Sequence, residues 1–352
     1  MDNMQLALKR AIDQRASDLF IVAGCPMSYK IHDVIEPMDD QRLMPEHTQE
    51  LIQQIYDLCD HRSMKGLLES GDDDFSFSIH GLGRFRCNAY KQRNSLAAVL
   101  RVVYFDLPDY QQLHIPEAVM EMSNQKKGMV LVTGAAGSGK STTLACIIDR
   151  INSTRKSHII TIEDPIEFLH SHKQSIVTQR EVSHDTNSYA DALRGALRQS
   201  PNVILLGEMR DFSTINTALT AAETGQLVFS TLHTIGAAKT VDRIVDVFPS
   251  EQQRQVRVQL SMVLNGVISQ QLIPSKDGGL VPAFEIMKVN NAIRNLIREG
   301  KTHQIENAIF SGGNEGMRTM DNDILSLYRQ GKITRENALL FAVNPDILEK
   351  KL

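Results

Sequence analysis

The sequence predicts an α/β protein of two domains: an α+β module over residues 1–106, a linker and lead-in helix over 107–126, and a phosphate-loop domain over 127–352. Three observations carry this expectation. The stretch "GAAGSGKST", residues 134–142, matches G-x-x-x-x-G-K-S, with an apolar run "MVLV" before it and a helical stripe of Leu144, Ile147, Ile148 and Ile151 after it. A glycine-rich loop between a buried strand and a helix is the context in which this motif cradles phosphate. From Lys127 onward, strands alternate with helices, which implies a parallel sheet with helices on both faces. Before that point, short helices and alternating strands mix without such order.

Taken in sequence, Met4, Leu8, Ala11 and Ile12 suit a first helix and "DLFIV" a strand. Leu51, Ile52, Ile55, Leu58 and Cys59 suit a second helix opened by Pro45. In "DFSFSI", Phe75, Phe77 and Ile79 alternate with polar residues as on a half-buried strand, and "RFRCNAY" and "LAAVLRVVYF" follow as two strands with a turn near Arg93 and Asn94. The proline-marked "DLPDYQQLHIPE" reads as the linker. The second domain then runs through the strands "MVLVT", "HIITI", "NVILLG" and "LVFSTLH", with helices between them. A mostly helical tail includes "EQQRQVRVQLSMVLNGVISQQL", "NAIRNLIREGK" and "MDNDILSLYRQGKITRENALLFA".

Composition excludes several classes. With 352 residues, 42% of them hydrophobic, the chain has ample material for two cores and no low-complexity tract. No apolar run approaches the ~20 residues needed to cross a bilayer, and "MDNMQLALKR" has no signal-peptide apolar region, so a cytoplasmic protein is expected. Cys25, Cys59, Cys87 and Cys146 are scattered, which argues against disulfides and a zinc site. A net charge of −4, with Lys and Arg dispersed, gives no basic face for nucleic acid.

The loop's chemistry follows from its residue types. Backbone N–H groups along Gly134, Ala135, Ala136, Gly137, Ser138 and Gly139 can curl around the phosphates of ATP, with the helix N-terminus at Ser141 and Thr142 pointing its dipole at them. Lys140 would reach the β/γ-phosphates and the Ser141 hydroxyl would ligate Mg2+. "NVILLGEMRD" ends in Glu208, placed to serve the metal, and "HIITIEDPIEF" ends in Glu163 and Asp164; in a parallel sheet these strand ends share one edge with the loop. The alternative is that both acids only cap neighbouring helices. "LVFSTLHT" brings His233 to the same edge, as a γ-phosphate donor or as a satisfied histidine. Arg101 lies inside an apolar strand, where a buried guanidinium costs several kcal/mol unless an anion meets it. Arg86 is one hairpin away. Both could donate charge to a nucleotide held elsewhere, or pair within their domain with the aspartates of "GDDDF".

Together, "GAAGSGKST", "TIEDPIEF", "QREV", "ALRGALRQSPNVILLGEMRD", "TALTAAETGQLVFSTLHT", "RIVDVFP" and "AIRNLIRE" resemble the secretion-superfamily hexameric ATPases, and within them the branch that retracts type IV pili; "ASDLFIVAG" and "FRCNAY" extend the likeness into the first domain. The resemblance implies a PAS-like N-terminal domain, a RecA-like ATPase domain and a homohexameric ring. It also implies an inner-membrane platform protein as partner, pilin acted on indirectly, and a position at the inner face of the cytoplasmic membrane. It maps the acidic box onto Glu163 to Glu167, the Walker B glutamate onto Glu208 and the histidine box onto His233, and has Arg86 and Arg101 complete the active site at a subunit boundary.

Three departures from the family pattern stand out. Ala135 and Ala136 replace the usual Pro and Thr of the loop, Gln226 stands where the histidine box commonly has its first histidine, and Phe20 replaces a histidine in "A-S-D-L-H". Extension and type II secretion relatives share the same core but typically carry a paired C-x-x-C after a segment like "ISQQLIP" and a further N-terminal domain. Here "IPSKDGGLVPAFE" holds no cysteine, no further domain is expected, and "NNAIRNLIREGK" resembles the motif that marks retraction members. Retraction is therefore expected over extension or secretion and over a RecA-like nucleic-acid translocase; the intact Lys140, Glu163 and Glu208 argue against a dead copy, and a motor and an accessory ring subunit both stand as readings of the retraction role.

Overall fold

Strand–helix alternation beyond Lys127 builds the larger of two units, Leu107–Leu352, and the mixed elements before it build the smaller, Met1–Asp106. The structure, a computed structural model, describes residues 4–31, 34–59, 62–103, 107 and 109–352. Tyr104 and Phe105 at the end of the predicted "LAAVLRVVYF" strand, and Asp106 and Pro108 in the predicted linker, lie outside the described residues.

In the smaller unit, β1 (Asp18–Ile21), β2 (Pro26–Ile31), β3 (Val34–Arg42), β4 (Asp72–Ile79), β5 (Gly83–Gln92) and β6 (Ser95–Val103) form an antiparallel sheet in the order β3-β2-β1-β6-β5-β4. Helices Met4–Asp13 and Pro45–Leu58 supply Leu8, Leu51, Ile52 and Ile55 to a core shared with Phe75, Phe85 and Leu100. The β5–β6 connection is the two-residue turn expected at Arg93 and Asn94, both with positive φ (44° and 62°), a backbone that matches the twist of a tight hairpin. Strands β2 and β3 are absent from the sequence reading. β3 is exposed along almost its whole length, so "VIEPMDDQR" carries no inward apolar rhythm.

The larger unit holds β7 (Gly128–Thr133), β8 (His158–Glu163), β9 (Ile176–Glu181), β10 (Val203–Leu206), β11 (Leu227–Leu232), β12 (Leu264–Pro274) and β13 (Leu280–Lys288), in the order β13-β12-β7-β11-β10-β8-β9. All pairings are parallel except β12 with β13. Strands β7, β10 and β11 are buried residue by residue, as strands covered on both faces must be. Apolar side chains fill both faces of the sheet, with Leu131, Ile204 and Val228 on one and Val130, Leu205 and Phe229 on the other.

The predicted helix over "EQQRQVRVQLSMVLNGVISQQL" is corrected. It stops at Val263, and Leu264–Pro274 is strand β12, slotted beside β7. Apolar spacing in that stretch fits a helix as well as a strand, and the available edge of β7 decides between them. The hairpin to β13 turns through Gly278 and Gly279. The tail that follows is helical, in Asn291–Glu299, Ile305–Ser311, Met320–Arg329, Arg335–Phe341 and Pro345–Glu349. Among the described residues no helix is long and apolar enough to cross a membrane.

Candidate active site

Parallel pairing brings the ends of β7, β11, β10 and β8 to one edge of the sheet, side by side in that order. Each end carries chemistry: the glycine-rich loop, His233, Glu208 and Glu163. They line a single cleft of about 250 Å³ together with Glu167, Tyr189 and Arg210.

The loop leaves β7 at Thr133 and arches to the helix Lys140–Thr154. Gly134 has φ +144°, and a Cβ there would lie 2.3 Å from the Gln270 carbonyl oxygen and 2.6 Å from Ser138 Oγ. At Gly139, φ +85°, a Cβ would come within 2.8 Å of Gln270 Nε2. These two glycines let the loop lie flat against β12, while Ala135, Ala136 and Gly137 form its exposed crest. The Ala-Ala departure therefore falls on the exposed crest of the loop, where the backbone N–H groups are retained. Thr143 Oγ1 donates to Gln270 Oε1 at 2.7 Å, pinning the first turn of the helix to the same strand.

Lys140 is 8% exposed, and its Nζ donates to the carbonyl oxygens of Gly134 (3.0 Å) and Ala135 (2.7 Å). Burial pulls its pKa below the ordinary lysine value, while Glu167 and Glu208 oppose the shift by favouring the charged form. Ser141 and Thr142 follow in the first turn, partly exposed.

Glu208 is held between its neighbours by backbone stitches: Gly207 N donates to the Ile162 carbonyl at 2.8 Å, and Met209 N to the Thr231 carbonyl at 3.1 Å. Its carboxylate Oε2 accepts from Arg210 Nε at 2.6 Å and lies 3.2 Å from His233 Nε2. A carboxylate only accepts, so Nε2 carries the proton in that contact. Glu163 ends β8. Burial raises its pKa to about 7, and hydrogen bonds from Thr161 and Gln179 pull the other way. The acidic segment that follows is tied down by β9, since Ile166 N donates to Glu181 Oε2 (2.9 Å) and His170 N to Gln179 Oε1 (2.8 Å).

These residues fit a nucleotide triphosphate with Mg2+. Glycines sit where a Cβ would clash, a buried ammonium lies within the loop, and hard oxygen donors stand at Ser141 and Glu208. Among the described residues no group of three His, Cys, Asp or Glu side chains forms a metal cage.

Several positions differ from expectation. Gln226 precedes β11 and His233 follows it, so the two stand at opposite edges of the sheet. Gln226 Oε1 accepts from Thr224 Oγ1 at 2.8 Å and has no place in the cleft. Arg101 was expected in a buried setting, and that is corrected: its side chain is 67% exposed, because β6 alternates and only Leu100 and Val102 beside it point inward. The burial cost invoked for it does not arise. Arg101 Nε donates to Asp18 Oδ1 at 3.1 Å. Arg86, its directly opposite partner on β5, forks onto Asp74 of "GDDDF" at 3.2 and 2.6 Å. Like charges opposite one another repel, and the two aspartates offset that. Both arginines belong to the smaller unit and the loop to the larger.

Tyr189, Arg210, Thr161, Gln179 and Gln270 were not singled out from sequence. Arg210 had a signal, two residues beyond Glu208 in "GEMRD", and Gln179 opens the quoted "QREV". Tyr189 and Gln270 had none, since only tertiary folding brings their elements to the loop.

A family model described as "Type II/IV secretion system protein" matches residues 2–312. The type IV pilus retractation ATPase PilT of Pseudomonas aeruginosa is 48% identical over 92% of this chain and 94% of its own length. A twitching motility protein of Neisseria gonorrhoeae is 45% identical over 95% of this chain and 88% of its own. Among solved structures, the crystal structure of the pilus retraction motor PilT with bound ADP superposes with a TM-score of 0.90 at 48% identity, covering 99% of both chains. The α/β fold class expected from sequence, an N-terminal domain before an ATPase domain with helices, is thus borne out along the chain.

Proposed function

This chain belongs to the type II/IV secretion system protein family, and on that premise we propose that it is a type IV pilus retraction ATPase, a ring motor that couples ATP hydrolysis to removal of pilin from the fibre base. The observation that carries the proposal is near full-length likeness to a retraction ATPase, joined to a phosphate loop and two strand-end carboxylates in one cleft. In this reading the loop N–H groups and Lys140 hold the β/γ-phosphates, and binding exchanges the lysine's two carbonyl contacts for phosphate oxygens. Ser141 and Glu208 would hold Mg2+, whose charge would neutralise that of the phosphates. Glu163 takes the proton of the attacking water, a task suited to a carboxylate whose pKa of about 7 matches the working pH. His233 anchors Glu208. The exposed guanidiniums of Arg86 and Arg101 complete a neighbouring subunit's site in a homohexamer, trading Asp74 and Asp18 for phosphate.

The ring works at the inner face of the cytoplasmic membrane, against a platform protein embedded there. Purified protein should hydrolyse ATP, and deletion of the gene should leave cells with excess, immobile surface pili that only the chain with an intact Lys140 restores to twitching. Loss of surface pili on deletion would point to extension, and stimulation of turnover by single-stranded DNA would point to a translocase.

A further inference from the structure

Glu163 does not hold its own position. Thr161, two residues earlier on β8, faces the same side of the strand and is fully buried. Its hydroxyl donates to Glu163 Oε1 at 2.6 Å. On β9 the residue in register with Thr161 is Gln179, whose Nε2 lies 3.4 Å from the same oxygen. The Gln179 carboxamide also donates to the Phe168 carbonyl at 2.9 Å and accepts from His170 N at 2.8 Å. One rung of the sheet therefore grips the acid and the acidic segment after it.

We propose that Thr161 and Gln179 are positioning residues for Glu163: their donors converge on Oε1 and fix the plane in which the carboxylate takes the water's proton. Neither touches nucleotide in this scheme. A free glutamate samples several rotamers, whereas a base must keep one orientation through the proton transfer, and a third group that orients the base is a recurrent feature of activated water and nucleophiles. The inference rests on the assignment of Glu163 as the base.

Thr161→Val keeps shape and burial while removing the hydroxyl. Losing a hydrogen bond to a charged group predicts a fall in kcat of about tenfold, with Mg-ATP affinity by calorimetry unchanged. Thr161→Ser should recover most of the loss. The decisive readout is a double-mutant cycle by single-turnover hydrolysis of radiolabelled ATP: in a Glu163→Gln background, Thr161→Val should cost nothing further, because a residue acting only through Glu163 has nothing left to act on. A tenfold loss repeated in both backgrounds overturns the positioning role, and so does full activity of Thr161→Val. Near-normal turnover of Glu163→Gln alone instead removes the base assignment. Should Thr161→Val melt early, Thr161→Ala, which also removes the hydroxyl's contact with Glu163, carries the same cycle with the same expected non-additivity.

Discussion

Replacing Lys140 by Met separates the grip on nucleotide from the stability of the fold. The stem of Lys140 is buried and its Nζ makes two hydrogen bonds to loop carbonyls, so Met keeps the packing and discards the charge. Burial already disfavours the ammonium, so the ligand-free variant should melt within a few degrees of the parent. The nucleotide-bound state is another matter. If the two carbonyl contacts are exchanged for phosphate contacts, each charge-assisted and worth about 1.5–3 kcal/mol, affinity falls by at least about a hundredfold. At a nucleotide concentration of about 100 Kd, the parent gains about 2.7 kcal/mol and melts about 5–10 °C higher. At that same concentration the variant gains about 0.4 kcal/mol, a shift of about 1 °C. Differential scanning fluorimetry with and without Mg-ADP reads both numbers. An undiminished ligand-induced shift in Lys140→Met would refute the role given to the lysine, and a large drop in ligand-free melting would show that its charge serves the fold instead.

Glu163→Gln should bind Mg-ATP nearly as the parent does and turn over at least about 10²-fold slower, the scale for losing a general base; near-normal turnover would move the role to Glu208. Because the ionised form of Glu163 accepts the proton and its pKa in the ligand-free protein is about 7, kcat/KM should rise with pH through about 7 and flatten above it. The acid limb should vanish from the residual activity of Glu163→Gln, and a limb that survives there belongs to another group. An Arg86→Ala, Arg101→Ala double variant and a Lys140→Ala variant should each be nearly inactive, yet regain activity when subunits are exchanged between their rings. Rings shown to be assembled by light scattering and to be mixed by co-purification of differently tagged subunits, yet still inactive, would confine the arginines to their own chains, with Asp74 and Asp18.

The strand–loop–helix of the phosphate site was legible because every signal in it is local: an apolar run, fixed glycines and a helical stripe. The convergence of Glu163, Glu208 and His233 was legible for a different reason, since a parallel sheet obliges all strand ends to share an edge. What escaped the sequence depends on neighbours. β9 is short and half polar, and only its pairing with β8 makes it a strand. β12 mimics a helix until β7 offers it an edge. Arg101 misled because "AAVLRVV" reads as an unbroken apolar run, although the alternation on β6 had one outward place for it. Thr161 and Gln179 are ordinary residues whose meaning comes from being cross-strand partners beside an acid.

The pairing of Arg86 with Arg101 also bears on how the smaller unit finds its shape. In the β5–β6 ladder, set by the turn at Arg93 and Asn94, both guanidiniums emerge on the wet side and Phe85, Cys87, Leu100 and Val102 on the dry side. A slip of one residue in either strand exchanges the two sides of that strand. It would drive a guanidinium into the core and expose the apolar set, at a cost of several kcal/mol for the unpaired charge alone. A slip of two would preserve the faces but break the tight turn. The mis-threaded hairpins are thus penalised by the very side chains that protrude from the correct one. Swapping both arginines for leucine would remove that penalty, and a hairpin greasy on both sides has little reason to prefer its own alignment over its neighbours'.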